Sequence, residues 1–283
     1  MIVVTGASGQ LGRLVIASLL KRVPANQIVA AVRSPEKVAD LAALGVIVKQ
    51  ADYSQPDALE QAFAGADKVL LISSSEVGQR LAQHRNVIDA AKRAGVSLIA
   101  YTSLLHADRS PLALADEHKA TEAYLAGSGI PFVLLRNGWY SENYLASVPA
   151  ALAHDAFIGC AGEGRIASAA RADYADAAAV VLTRAEQAGK VYELAGDEAY
   201  TLSELASELS RQAGKPVPYV NLPEAEFKGA LLGAGLPEPL ADLLANSDSG
   251  ASQGGLFDDS HTLSALIGRP TTSLSTLITA ALA

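Results

Sequence analysis

This sequence holds a single cysteine, Cys160, among 283 residues, so no intrachain disulfide can form. That usage fits a reducing compartment. It has no run of basic residues able to track a phosphate backbone, and its net charge is -8 at pH 7, so nucleic acid is not an expected partner. No apolar stretch is long enough to span a bilayer, and no charged leader with a cleavage pattern precedes the first apolar run. The expectation is a cytoplasmic chain without membrane partners. Only 18% of the residues are charged against 50% hydrophobic, which argues against wholesale disorder and for a sizeable core.

Several catalytic hallmarks are also missing. There is no G-x-S-x-G elbow and no Walker A lysine. The histidines, His84, His106, His118, His154 and His261, fall at no metal-ligand spacing, so no metal is expected. None of the nine tyrosines has a lysine four positions on, the pair that short-chain dehydrogenases use to protonate a carbonyl oxygen. Alcohol oxidation and sugar epimerisation are thereby disfavoured. Lys119, in the helix expected over Leu112 to Ala126, has two readings: a substitute proton donor, or a solvated helix residue.

What is present begins at the second residue. The apolar run Ile2 to Val4 meets Thr5-Gly6-Ala7-Ser8-Gly9-Gln10-Leu11-Gly12, and apolar residues at helical spacing follow at Leu11, Leu14, Val15 and Leu19. This reads as strand, glycine turn, helix. A helix N-terminus presents unpaired N–H groups and partial positive charge, so a pyrophosphate sits well there. Gly6 permits the sharp turn, Gly9 permits close approach of phosphate, and Gly12 permits tight helix–strand packing.

Apolar strands then alternate with helical segments: Ile28 to Val32, Val46 to Val48, Lys68 to Ile72, Val96 to Tyr101 and Pro131 to Leu135, joined by short loops. Near-continuous apolar strands separated by crossover helices predict an α/β fold, a doubly wound parallel sheet of the Rossmann type. The expected organisation is a nucleotide-binding domain over residues 1–150, with 173–196 returning to it. A smaller α/β lobe over 197–283 would cover the substrate. Thr201 to Glu204 is a capping box opening a helix, and the serine- and glycine-rich stretch 247–255 is expected to be a surface loop.

Ligands bind beyond the carboxyl ends of such strands. Arg33 follows the second strand where an acid would favour NAD, and an arginine there meets the 2′-phosphate of NADP. Asp52, after the third strand, is either an acceptor for the adenine amino group or a helix-preceding cap. Ser73, Ser74 and Ser75 end the fourth strand and could line pyrophosphate and nicotinamide ribose. Asn137 to Glu142 follow the sixth strand, and Asn137 could hold the carboxamide or ribose. For the serines and for 137–142, ordinary turn chemistry is the competing reading, and for Arg33 it is a solvated surface arginine. Tyr140, Asn143 and Tyr144 could line an aromatic pocket or simply pack.

Together, Thr5 to Gly12, Arg33, Ser73 to Glu76, Tyr101 to Ser103 and Leu135 to Asn143 resemble the NmrA-like atypical short-chain dehydrogenases, in particular the branch that reduces quinones with NADPH. The likeness runs over essentially the full chain. It implies NADPH held by Gly6, Ala7, Ser8, Gly9, Gln10 and Leu11, by Arg33, by Ser73 to Ser75, by Asn137, Gly138, Trp139, Tyr140, Ser141 and Glu142, and by Arg171. An acceptor pocket is expected near Tyr140 and Asn143, with a small quinone-like molecule as substrate and a monomer or homodimer as the assembly. The family also includes a non-catalytic NADP(H) sensor acting through a protein partner, which stands as the alternative function.

Overall fold

The computed structural model describes all 283 residues. The first half alternates strictly: β1 (Ile2–Thr5), α1 (Gln10–Leu19), β2 (Ile28–Val32), α2 (Ala39–Ala43), β3 (Ile47–Gln50), α3 (Pro56–Phe63), β4 (Lys68–Leu71), α4 (Arg80–Arg93), β5 (Leu98–Leu104), α5 (Ala115–Ser128) and β6 (Phe132–Asn137). The second half is richer in helix: α6 (Ser141–Leu145), α7 (Val148–His154), β7 (Phe157–Gly159), α8 (Arg171–Thr183), β8 (Val191–Leu194), α9 (Leu202–Ala213), β9 (Tyr219–Asn221), α10 (Glu224–Gly233), α11 (Glu238–Ser252), α12 (Thr262–Ile267) and α13 (Leu274–Leu282).

Seven strands form one sheet in the order β3-β2-β1-β4-β5-β6-β8, and β1 to β6 pair in parallel. The expected doubly wound α/β sheet is therefore present. The order reverses between β1 and β4, the switch point outside which ligands bind in such sheets. β1, β2 and β5 are buried along their whole length, because helices cover both faces. No helix is long and apolar enough to cross a membrane.

The chain divides into two compact units. One comprises residues 1–104, 117–137 and 171–192; the other comprises 105–116, 138–170 and 193–283. In the first unit, Val3, Val29, Val69, Leu71, Ile99 and Tyr101 on the strands pack with Leu59, Phe63, Val87, Ile88 and Ala91 on α3 and α4. Each valine, leucine, isoleucine or phenylalanine among them taken from water contributes roughly 1.5–3 kcal/mol before entropy is counted. α1 and α8 are tied by Ser18 Oγ donating to Asp176 Oδ1 (2.7 Å).

In the second unit, Thr201 caps α9 as expected: its hydroxyl accepts from the Glu204 amide, and the Glu204 carboxylate accepts from the Thr201 amide. The stretch 247–255 departs from expectation. Most of it is not a surface loop: through Ser252 it is the last turns of α11, with Ser247, Asp248 and Gly250 buried, and an exposed turn follows at Gln253 and Gly254. Glycine stands at 250 and 255 because Leu112 lies against both. A Cβ on Gly250 would come within 2.7 Å of Leu112 Cδ1, and one on Gly255 within 2.6 Å. The Ser247 hydroxyl folds back onto the Leu243 carbonyl (2.7 Å), so it leaves no unpaired donor inside.

Candidate cofactor site

The glycine turn takes the form its spacing predicts. Gly6 adopts φ +59°, a left-handed conformation open to glycine. The Gly9 amide closes the turn on the Gly6 carbonyl (3.0 Å). A Cβ on Gly12 would stand 2.5 Å from Gly6 O and 2.7 Å from Ala7 Cα, so only glycine lets α1 start this close to the turn. The N-cap of α1 is Gly9, with no side chain to satisfy the first amides, and no acid lies in the first turn. Ser8, Gly9 and Gln10 are exposed, while Ala7 and Leu11 are buried beneath them. A helix of this length with uncapped amides and no competing carboxylate suits an anion.

Arg33 lies immediately past β2, and its guanidinium is exposed. Its Nη1 donates to Glu76 Oε1 (3.0 Å). Asp52 makes an Asx turn, accepting from both the amide (2.8 Å) and hydroxyl (2.7 Å) of Ser54. Those two bonds, with a smaller contribution from Arg33, hold its carboxyl below the usual range.

The serine loop after β4 is anchored from beneath. The Ser73 amide donates to Thr102 Oγ1 (2.8 Å), and the Ser74 amide donates to His84 Nε2 (2.9 Å). Arg80, 5% exposed, donates from Nε to the Ser74 carbonyl (2.6 Å) and pairs with Glu117 (3.3 Å). The Ser74 hydroxyl donates to Gln83. His84 is fully buried, and its Nδ1 faces Thr121 Oγ1 (3.0 Å). Because Nε2 accepts, the proton resides on Nδ1. Burial, with the Arg80 charge behind it, pushes the His84 pKa down to about 3, so the ring stays neutral and keeps its acceptor. The Ser73 and Ser74 amides thus define the loop's shape rather than reach outward. None of His84, Arg80, Thr102 or Glu117 was singled out from sequence for this role, since their partners lie 6 to 39 residues away in the chain.

At the end of β6, Asn137 is 5% exposed, and its Oδ1 is buried with no hydrogen-bond partner. An orphaned buried acceptor at a strand's carboxyl end calls for a donor from outside the chain. Arg171, half-buried, is the first residue of α8. Lys119 is exposed on α5.

In the second unit, residues 138–142 are also fixed from behind. The Ser141 amide donates to the Ala169 carbonyl (2.9 Å), and the hydroxyls of Ser141, Ser168 and Tyr200 form a buried chain with links of 2.7 and 2.5 Å. Gly138 and Trp139 are buried, and Glu142 is half-buried on α6. Asn143 lines a small cleft with Trp139, Tyr144, Phe157, Phe227 and Asp248. Tyr140 does not line it; the residue serves as the N-cap of α6 and bridges to Ala169. Asp248 Oδ1 accepts from the Tyr144 hydroxyl (2.9 Å) and Oδ2 from the Cys160 amide (3.0 Å). Burial raises the Asp248 pKa to about 6 and the Cys160 thiol to about 12. No group of three His, Cys, Asp or Glu side chains is arranged to hold a metal ion.

The model of the NmrA-like family matches residues 1–275. The chain belongs to the NmrA-like family. It is 67% identical over 275 residues to Quinone oxidoreductase 2 of Escherichia coli, a match that covers 97% of this chain and 96% of that one. A crystal structure of NADPH-dependent quinone oxidoreductase from Escherichia coli, complexed with NADPH, matches with a TM-score of 0.98 at 65% identity over 100% of both chains. The Citrobacter sp. triphenylmethane reductase complexed with NADP(H) matches with a TM-score of 0.95 at 41% identity, over 99% of this chain and 100% of that one.

Proposed function

We propose that this chain is an NADPH-dependent reductase that transfers a hydride to quinones or similar conjugated acceptors. The observation that carries this is the full-length likeness to the Escherichia coli enzyme solved with NADPH. The residues present fit that cofactor. The uncapped N-terminus of α1 suits the pyrophosphate, Arg33 suits a 2′-phosphate, and the orphaned Asn137 Oδ1 suits a carboxamide N–H2 or ribose hydroxyl. Ser73 to Ser75, Gly138 to Glu142 and Arg171 complete the proposed set.

When bound, NADPH supplies the hydride. The chain's part is to hold and orient. Gly6 and Gly12 fix the turn, the His84–Arg80 network fixes the serine loop, and Ser168 with Tyr200 fixes the start of α6. Reduction of a quinone to a hydroquinone takes one hydride and one proton. The product is a stabilised aromatic, so water can give the proton. This agrees with the missing tyrosine–lysine pair: proximity and orientation do most of the work. Asn143 and Trp139 would bound the acceptor. A non-catalytic NADP(H) sensor is the weaker reading, because the relative at 67% identity bears the name of an oxidoreductase.

The test is direct. Pure protein mixed with NADPH and a simple benzoquinone is expected to bleach the NADPH absorbance only when both are present. Loss of absorbance that does not depend on the quinone, or no loss at all, rejects the enzymatic reading.

A further inference from the structure

Arg33 meets a carboxylate that the loop after β4 delivers to it. The Glu76 side chain is held at both oxygens: Oε1 accepts from Arg33 Nη1 (3.0 Å), and Oε2 accepts from Gln83 Nε2 (2.8 Å) on α4. Its backbone is held too, with the amide donating to Ser74 Oγ (3.1 Å). Ser74 is in turn anchored by His84 and Arg80. Most exposed ion pairs join two freely moving chains and contribute little. Here one partner is fixed in place, and the carboxylate is aimed at the guanidinium before any ligand arrives.

We propose that Glu76 is a specificity-determining residue that competes with the cofactor's 2′-phosphate for Arg33. This rests on the reading that Arg33 receives that phosphate. A 2′-phosphate carries up to two negative charges and seeks the same guanidinium edge. To bind, it must either displace the Glu76 carboxylate or lie beside it, and both outcomes oppose binding. A 2′-hydroxyl carries no charge and meets neither obstacle. Glu76 therefore narrows the preference for the phosphorylated dinucleotide and hastens release of oxidised NADP. Both side chains are substantially exposed, 69% for Arg33 and 48% for Glu76, so water screens the competition and keeps it modest.

The test is Glu76→Gln, which keeps the shape and the Gln83 contact but removes the charge. Dissociation constants for NADP+ and NAD+ are measured by titration calorimetry at low ionic strength, alongside Arg33→Ala and the double variant. Glu76→Gln is expected to tighten NADP+ binding about two- to five-fold and leave NAD+ unchanged. The gain is expected to shrink with added salt and to be smaller in the Arg33→Ala background. If Glu76→Gln leaves NADP+ affinity unchanged or weakens it, or shifts both nucleotides equally, the competition does not exist. The Arg33→Ala arm separates the two ideas: a loss confined to NADP+ keeps the Arg33 reading even where Glu76→Gln fails. No loss in that arm overturns both.

Discussion

Replacing Asp248 by asparagine should change how the stability of the second unit depends on pH. Asp248 is 4% exposed on α11 and accepts one hydrogen bond at each oxygen, from Tyr144 and from the Cys160 amide. Burial nevertheless lifts its pKa from 3.8 to about 6, since two donors only partly replace lost water. An acid whose pKa is higher folded than unfolded keeps its proton in the native chain, over a range where the unfolded chain has released it. Its contribution is therefore intact below about pH 4. It declines as pH rises through the folded value, and the full penalty is present above about pH 7. At 1.36 kcal/mol per pKa unit, the swing is about 3 kcal/mol. Asparagine cannot ionise, and it can still satisfy both neighbours: its oxygen accepts from the Cys160 amide, and its N–H2 donates to the Tyr144 hydroxyl. Asp248→Asn should match the parent near pH 4 and exceed it by about 3 kcal/mol near neutrality. Trp139 is the one tryptophan in the chain and lines the same cleft, so its fluorescence during urea unfolding reports on this unit. Taking the difference between variant and parent at each pH cancels every other titrating group. A difference that stays flat from acid to neutral pH would refute the reasoning.

Other outcomes follow from the cofactor site. Arg33→Ala should weaken NADP+ binding by about 1–3 kcal/mol and leave NAD+ nearly untouched, as read by titration calorimetry. Gly12→Ala should destabilise the first unit by about 1–3 kcal/mol in thermal unfolding, because its methyl group meets backbone that cannot swing aside. The same change should raise the KM for NADPH. His84→Leu leaves the Ser74 amide without its acceptor, a loss of about 1–3 kcal/mol, and should also raise that KM. His84→Gln, which restores an acceptor, should recover much of it. Thr201→Ala removes the cap of α9 and should lower unfolding stability by about 1 kcal/mol.

Where the fold was legible, the signal was local. Apolar runs such as Ile28–Val32 and Val69–Leu71 became buried parallel strands, and the glycines at 6, 9 and 12 became the turn their spacing describes. Thr201 and Glu204 closed the capping box, because both partners sit within one helical turn. What escaped depends on contacts between distant segments. Serine and glycine at 247–255 look like a loop in sequence, but through Ser252 they are the end of α11, and Leu112 packs against Gly250 and Gly255. Asp248 finds Tyr144 across 104 residues, and His84 finds Thr121 across 37, so no spacing pattern announces either. The serine loop was placed correctly after its strand. Its inward amides were not foreseeable, since the side chains they bind come from α4 and β5.

The position of β8 at the border of the large sheet has a consequence for synthesis. Its neighbour β6 ends at Asn137, yet β8 begins only at Val191. On the ribosome, the segment Phe-Val-Leu-Leu must wait for some fifty further residues before its outer row of amides and carbonyls is covered. At about 5–20 residues per second, that delay is roughly 3–10 seconds. Throughout it, a bare apolar border lies open to pairing with another nascent copy. Slowed translation across residues 138–190 should therefore lower soluble yield more than an equal pause placed after residue 194.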